Sequence, residues 1–263
     1  MARADPDRRR FLKSTAALAA LTALRPRLSL AAGGAKTAIS ISALPPAATF
    51  LERFKLAVEA GFFAVEISTV DDSHVAEQIR RAANRAGIRI HSVLNVASRQ
   101  FPLSSADAEV VRHGVNAVRT SLGNARSWGA DFVVIAPAAA AAGASYRDAW
   151  RRSQAVIGEH VLPLARALDV VLAVEEVWDG FILSPQEVAR YVDAFASPWV
   201  KASYDMSHAV FYASPCEWIR ALGSRLVNVR ASRADAGARA ALEQIAYDGW
   251  LTAASLGTSP TRG

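Results

Sequence analysis

Eight short β-branched runs alternate with longer amphipathic stretches along the chain, a pattern that predicts an α/β fold of the (β/α)8 TIM-barrel type. Two further observations support a single domain. No Gly/Ser-rich linker divides the 263 residues, and 52% hydrophobic against 21% charged residues is an ordinary globular balance with material for a large core. The same balance excludes a disordered, collagen-like or disulfide-dense chain.

The strands are read, in order, at Thr37 to Ser42, Ala64 to Ser68, Ile88 to Leu94, Phe132 to Ile135, Val170 to Glu175, Val200 to Asp205, Leu226 to Arg230 and Trp250 to Ala253. Helical stretches lie between them at Phe50 to Ala60, Val75 to Ala86, Asp107 to Trp128, Tyr146 to Leu168 and Pro185 to Phe195. Glycine follows three of these helices directly, at Gly61, Gly87 and Gly129, where a left-handed residue ends a helix before the next strand. Ser184-Pro185 reads as an N-cap with proline in the first turn, and Glu187 stands where a capping box needs it. The alanine-rich tract from Ala136 to Ala144 contains Pro137 and Gly143 and reads as a loop at the barrel mouth. After the eighth strand only ten residues follow, with Gly257, Pro260 and Gly263 among them. The closing C-terminal helix is therefore expected to be missing or vestigial, which would bare apolar surface on strands one and eight and invite a partner such as a second copy in a homo-oligomer.

The N-terminus reads as an address. Arg8-Arg9-Arg10-Phe11-Leu12-Lys13 precedes an apolar run from Ala16 to Leu24 and small residues around Ser29 to Gly34, the order of a twin-arginine leader. The run is shorter than the roughly 20 residues of a membrane span, so a cleaved leader over residues 1–32 is expected rather than a permanent anchor. The remaining barrel, 36–263, would then be periplasmic or otherwise exported. Net charge supports the division: the first 31 residues hold seven Lys/Arg against two Asp/Glu, and the rest of the chain carries only +1 of the overall +6. A nucleic-acid partner is not expected from a near-neutral barrel. Cys216 is the single cysteine, allows no internal disulfide and reads as a small buried hydrophobe.

Function in such barrels gathers where strands end at the C-terminal face. The chemistry-bearing residues there are Glu66 on strand two, His91 within strand three, Glu175 and Glu176 on strand five, Asp205 and then His208 on strand six, Arg230 on strand seven and Ala254 after strand eight. Alternation sends Ala173 and Glu175, and likewise Ser203 and Asp205, to one side of their strands, so both carboxylates face the mouth together. Two such carboxylates repel unless a cation stands between them. Trp178 and Phe181 follow Glu175 and offer faces on which a ligand could stack, although aromatic residues near a barrel rim are more often packing. Lys201 is read as pointing into the barrel beneath Asp205. His74, His113 and His160 and the pairs Arg80-Arg81 and Arg151-Arg152 read as solvated helix surface.

The run Val174-Glu175-Glu176-Val177-Trp178, with Leu183-Ser184-Pro185 and Ser197-Pro198-Trp199-Val200-Lys201 after it, resembles the sugar phosphate isomerase/epimerase family of xylose isomerase-like barrels. The branch with hexulose-phosphate isomerases is the most similar. Gly61-Phe62 through Glu66, His91-Ser92-Val93, Pro102-Leu103-Ser104-Ser105 and Tyr247-Asp248-Gly249-Trp250 extend the resemblance from about Lys36 to Trp250. It implies a small-carbohydrate substrate and one divalent metal (manganese, zinc or cobalt) on a glutamate, an aspartate, a histidine and a second glutamate from strands five to eight. It also implies that the two glutamates move protons beside the substrate carbonyl. Glu175 and Asp205 match the first two metal positions. The third is Arg230 and the fourth Ala254, neither of which can ligate, so the metal site is degenerate and no resident cofactor is expected. Three arrangements remain open: Arg230 takes the vacated place between Glu175 and Asp205, Arg230 turns outward, or His208 joins the two carboxylates in a three-ligand site.

On this reading Glu175 is the surviving catalytic base, His208 and Asp205 position hydroxyls, Arg230 stabilises oxyanion charge, and Glu66, His91 and Trp178 contact substrate. The rival readings are a non-catalytic carbohydrate-binding or interaction protein on the same scaffold, and a decayed gene product.

Overall fold

The computed structural model describes residues 35–138, 145–175, 181–182, 184–207, 213–232 and 235–254. Eight parallel strands form a closed barrel in sequence order: β1 Lys36–Ser40, β2 Ala64–Ser68, β3 Arg89–Leu94, β4 Phe132–Ile135, β5 Val171–Glu175, β6 Val200–Asp205, β7 Leu226–Ala231 and β8 Trp250–Ala253, with β8 returning to β1. Around them lie α1 Phe50–Glu59, α2 Ser73–Ala86, α3 Ala108–Trp128, α4 Tyr146–Val156, α5 Leu162–Leu168, α6 Pro185–Asp193, α7 Pro215–Leu222 and α8 Ala236–Gln244. The stretch read as one helix from Tyr146 to Leu168 is divided by a wider π turn at Ile157–Val161. Among the described residues no helix is long and apolar enough to cross a membrane.

Local chemistry explains the helix boundaries. Ser184 and Glu187 close a capping box on α6 with Pro185 in the first turn, and Thr49 with Glu52 and Ser214 with Glu217 do the same on α1 and α7. Gly87 and Gly129 end α2 and α3 at φ of 68° and 70°, a left-handed turn that costs glycine nothing and a side-chain-bearing residue about 1 kcal/mol. Each of these helices therefore stops where its chain must turn back into a strand.

Alternation along the strands divides the core in two. Ile39, Val65, Val133, Leu172, Tyr204 and Leu251 face outward and pack under helix residues such as Phe54, Leu122, Trp218 and Leu242. Full burial of each such side chain is worth about 1.5–3 kcal/mol, so this shell carries most of the stability. Ile39 and Leu251 are 0% and 1% exposed, so the bare apolar face expected on strands one and eight is not seen; both belong to the same core as Phe54 and Leu242. The tract 139–144 and the last residues, 255–263, lie outside the described residues.

Inside the barrel the lower layer is apolar, with Ala38, Ala64 and Ala173 leaving room for Phe132 and Trp250. Trp250 plugs the N-terminal end, its indole N–H donating to Asp131 at 3.1 Å while Lys36 Nζ and Arg89 stand 5.6 and 5.9 Å from its ring centre. Lys201 belongs to this lower end: its ammonium donates to the Ser224 carbonyl at 3.3 Å rather than pairing beneath Asp205, because its position near the start of β6 lets the long stem reach solvent. Cys216 is partly exposed on α7, not the buried residue expected.

Candidate functional site

Two register shifts build the upper interior. Between β2 and β3 the pairing jumps from Val65↔Ile90 to Glu66↔Ser92, so His91 is an extra residue and both His91 and Ser92 enter the polar interior. Between β6 and β7 it jumps from Ala202↔Leu226 to Ser203↔Asn228, which aligns Asp205 with Arg230 across the two strands.

Arg230 rises from β7 into the centre of the mouth, only 8% exposed. Its shortest contact is across the barrel, Nη1 donating to Glu66 Oε1 at 2.5 Å. Nε lies 3.4 Å from Asp205 Oδ2 and 3.9 Å from Glu175 Oε2, yet it is buried without a hydrogen-bond acceptor. The guanidinium thus stands among three carboxylates from β2, β5 and β6, and the outward rotamer is not adopted. Burial opposes its charge, but Glu66, Glu175 and Asp205 outweigh burial and hold the guanidinium above its usual range. Fully ionised, the four side chains sum to −2. Glu175 absorbs part of the excess: burial first, and the neighbouring charges of Asp205 and Glu66, outweigh Arg230 and the Ser203 hydroxyl and push its carboxyl up to about 7.

Beneath the charges runs a continuous hydrogen-bonded belt. Ser92 Oγ donates to Glu66 Oε2 at 3.2 Å, and on the far side Ser203 Oγ donates to Glu175 Oε2 at 2.9 Å. Asn228 Nδ2 donates to Ser203 Oγ at 3.2 Å, and Thr252 Oγ1 donates to Asn228 Oδ1 at 2.8 Å. His91 Nε2 joins the two arms, 3.2 Å from Ser92 Oγ and 3.4 Å from Thr252 Oγ1. Since both hydroxyl protons are already committed, Nε2 must carry the proton and Nδ1 must be bare; Nδ1 indeed has no partner. Burial, reinforced by the charges of Arg89 and Arg230, keeps this imidazole well below its ordinary range and therefore neutral. The belt fixes one oxygen of Glu66 and one of Glu175, so it sets how both carboxylates meet the guanidinium. Asp205 is held separately, its Oδ1 accepting from the Ser207 amide at 2.8 Å and hydroxyl at 2.6 Å.

The expected site residues distribute unevenly. Glu66, Glu175, Asp205 and Arg230 meet at one point. Glu66 is 1% exposed, and its carboxylate is engaged by Arg230 and Ser92. His91 has no exposed surface and lies 4.5 Å from the Trp250 ring and 5.4 Å from that of Phe132. Phe181 is buried against Tyr146, Trp150 and Tyr191 outside the barrel. Trp178 and His208 lie outside the described residues. Sequence reasoning gives Asn228 and Thr252 no role and names Ser92 and Ser203 only as neighbours of His91 and Asp205; the signal for all four is a polar residue at an inward position of a parallel strand, where apolar residues are the rule.

The described residues do not fit a divalent metal. Among the described residues no group of three His, Cys, Asp or Glu stands where it could hold one, and Ala254 after β8 supplies no donor. A dication about 4 Å from the guanidinium would meet a repulsion of about 8 kcal/mol at an effective dielectric of about 20.

The family model described as "Xylose isomerase-like TIM barrel" matches residues 54–256. The chain belongs to this family. A model of twin-arginine translocation pathway signal sequences matches residues 5–24, so this xylose isomerase-like barrel carries the signal for export by that route. A sequence search of curated proteins found no match. Among solved structures, a D-psicose 3-epimerase from Clostridium cellulolyticum H10, determined with D-tagatose, is 19% identical with a TM-score of 0.70, covering 82% of this chain and 83% of its own. A 3-keto-D-glucoside 4-epimerase from E. coli is 15% identical with a TM-score of 0.72, covering 86% and 94%. An L-ribulose 3-epimerase is 22% identical with a TM-score of 0.70, covering 85% and 82%. At these identities the likeness is one of fold.

Proposed function

We propose that this exported barrel takes a small carbohydrate at its mouth and moves a proton between adjacent carbons of it, interconverting a ketose and an aldose. The observation that carries the reading is Glu175: a buried carboxyl whose proton affinity is raised to near neutrality, 3.9 Å from a buried guanidinium. Such a carboxylate is a competent base at working pH, and the guanidinium is placed for developing oxyanion charge. Glu175 takes the proton from the carbon beside the substrate carbonyl, and the electron pair moves onto the carbonyl oxygen, whose charge the Arg230 guanidinium stabilises. Returning the proton to the neighbouring carbon, while the hydroxyl proton of the enediol passes to the former carbonyl oxygen, completes the transfer on one face. Asp205, with Oδ1 fixed by Ser207, orients a substrate hydroxyl, and His208 is assigned the same task. Epimerisation needs a second proton carrier on the opposite face, and Ala254 provides none. The epimerase names of the fold neighbours support a carbohydrate, and Ala254 favours one-base isomerisation over epimerisation for this chain.

Incubation with a panel of ketoses in heavy water tests the reading. Deuterium is expected at the carbon beside the carbonyl with the unmodified protein and not with Glu175→Gln. Thermal stabilisation by a sugar without exchange would instead favour the non-catalytic binding protein, a reading that the single remaining base also supports; neither exchange nor stabilisation would remove both.

A further inference from the structure

We infer that Arg230 is the resident cation of this site: an internal guanidinium stands where the carboxylates would otherwise call for a divalent metal, and it closes the site to such metals. Three observations converge. Acidic groups from β2, β5 and β6 surround one point inside the barrel, and the only cationic group that the described residues place there is Arg230. Glu66, opposite Arg230 across the mouth, makes the shortest of the three contacts, so the guanidinium is anchored from both sides and is not a side chain that happens to lean inward. The belt from Ser92 through His91, Thr252, Asn228 and Ser203 fixes Glu66 Oε2, the oxygen not taken by Arg230, and Glu175 Oε2 as acceptors. A guanidinium meets carboxylates along its planar edge with several N–H donors, and it cannot be lost by dilution, chelation or competition as a bound ion can.

The substitution leaves a signature in the geometry. Arg230 Nε–H is buried between Asp205, at 3.4 Å, and Glu175, at 3.9 Å, without a hydrogen bond to either, so the cation is held there by charge as much as by directed bonds. The resident cation thus keeps its N–H donors among its own carboxylates, where a metal would offer open coordination positions to a ligand. A chain with this device is indifferent to chelators and to the metal supply of the compartment it is exported to, because its cation travels with the fold.

Metal analysis tests the inference without reference to any sugar, so its outcome is separable from that of the carbohydrate reading. The unmodified protein, incubated with manganese, zinc or cobalt and then dialysed, is expected to retain far less than one equivalent and to show the same melting temperature with and without chelator. Stoichiometric retention that Glu175→Gln abolishes would overturn the inference. Arg230→His removes the fixed charge and restores a donor; it is expected to bind manganese at least tenfold more tightly than the unmodified protein, and Glu175→Gln added to it should cancel the gain. Arg230→Lys keeps a cation and should stay metal-free. Should Arg230→His fold only in manganese-containing buffer, folding itself becomes the readout and supports the inference. A folded Arg230→His protein that takes up no metal, or an Arg230→Lys protein that takes up as much, would show that Arg230 does not occupy the cation's place.

Discussion

The two ends of the barrel each hold an arginine paired with a carboxylate, and their surroundings make them different objects. At the closed end Arg89 meets Asp131 with side chains 48% and 42% exposed, beside the Trp250 plug. At the mouth Arg230 meets Glu66 with side chains 9% and 1% exposed. Water and salt screen the first pair, which contributes about 0–1 kcal/mol. The second is shielded from water, where removal of one partner leaves charges with nothing to solvate them. Similar chemistry therefore gives a surface ornament at one end and a structural requirement at the other, and the mouth adds two further carboxylates that the closed end lacks.

The sharpest way to break this contrast is to remove each arginine in turn. In metal-free buffer Arg230→Met is expected to destabilise the fold by about 3–5 kcal/mol, because Glu66, Glu175 and Asp205 lose their common counter-ion. Equal losses for Arg230→Met and Arg89→Met in urea titrations would mean that burial does not separate the two pairs.

A second effect concerns pH. Glu175 binds its proton more tightly folded than unfolded, so its contribution to stability is fully present below the unfolded value near 4.5 and is lost as pH rises through about 7. Glu175→Gln cannot ionise and should gain on the unmodified protein by up to about 3 kcal/mol between pH 4.5 and 8. Parallel stability curves for the two proteins across that range would contradict the raised proton affinity. The rate of deuterium exchange should climb over the same interval, since only the ionised carboxylate accepts a proton.

The belt gives a smaller effect, about 1–3 kcal/mol. Thr252→Val severs the link between His91 and Asn228 while nearly preserving shape, and leaves the buried Asn228 carbonyl without its donor. Nitrogen NMR of His91 should show Nε2 protonated and Nδ1 bare throughout the neutral range; the opposite tautomer would reverse the direction of the belt. The smallest change is expected from Arg89→Met, under about 1 kcal/mol and diminished further by salt.

How much of this was legible in the sequence follows from the range of the interactions involved. Ala64–Ser68, Phe132–Ile135, Val200–Asp205 and Trp250–Ala253 were read to the residue, and so were the caps at Ser184, Gly87 and Gly129. These are set by neighbours a few positions away: β-branched runs, a serine three residues before a glutamate, a glycine where the chain must turn left-handed. The inward direction of Glu175 and Asp205 followed from strand alternation for the same reason. Glu66 as the main partner of Arg230 did not, because 164 residues separate the two and only closure of the barrel brings them together.

The sequence by itself determined an exported eight-stranded barrel with two carboxylates and an arginine ending neighbouring strands. It could not decide where the guanidinium points or which polar side chains share the interior. Those depend on two register shifts, at Val65/Glu66 and at Ala202/Ser203, that turn His91 and Ser92 inward together and set Arg230 beside Asp205. Register is a property of paired strands and of the shear of the closed barrel, so it exists only once the tertiary structure has formed.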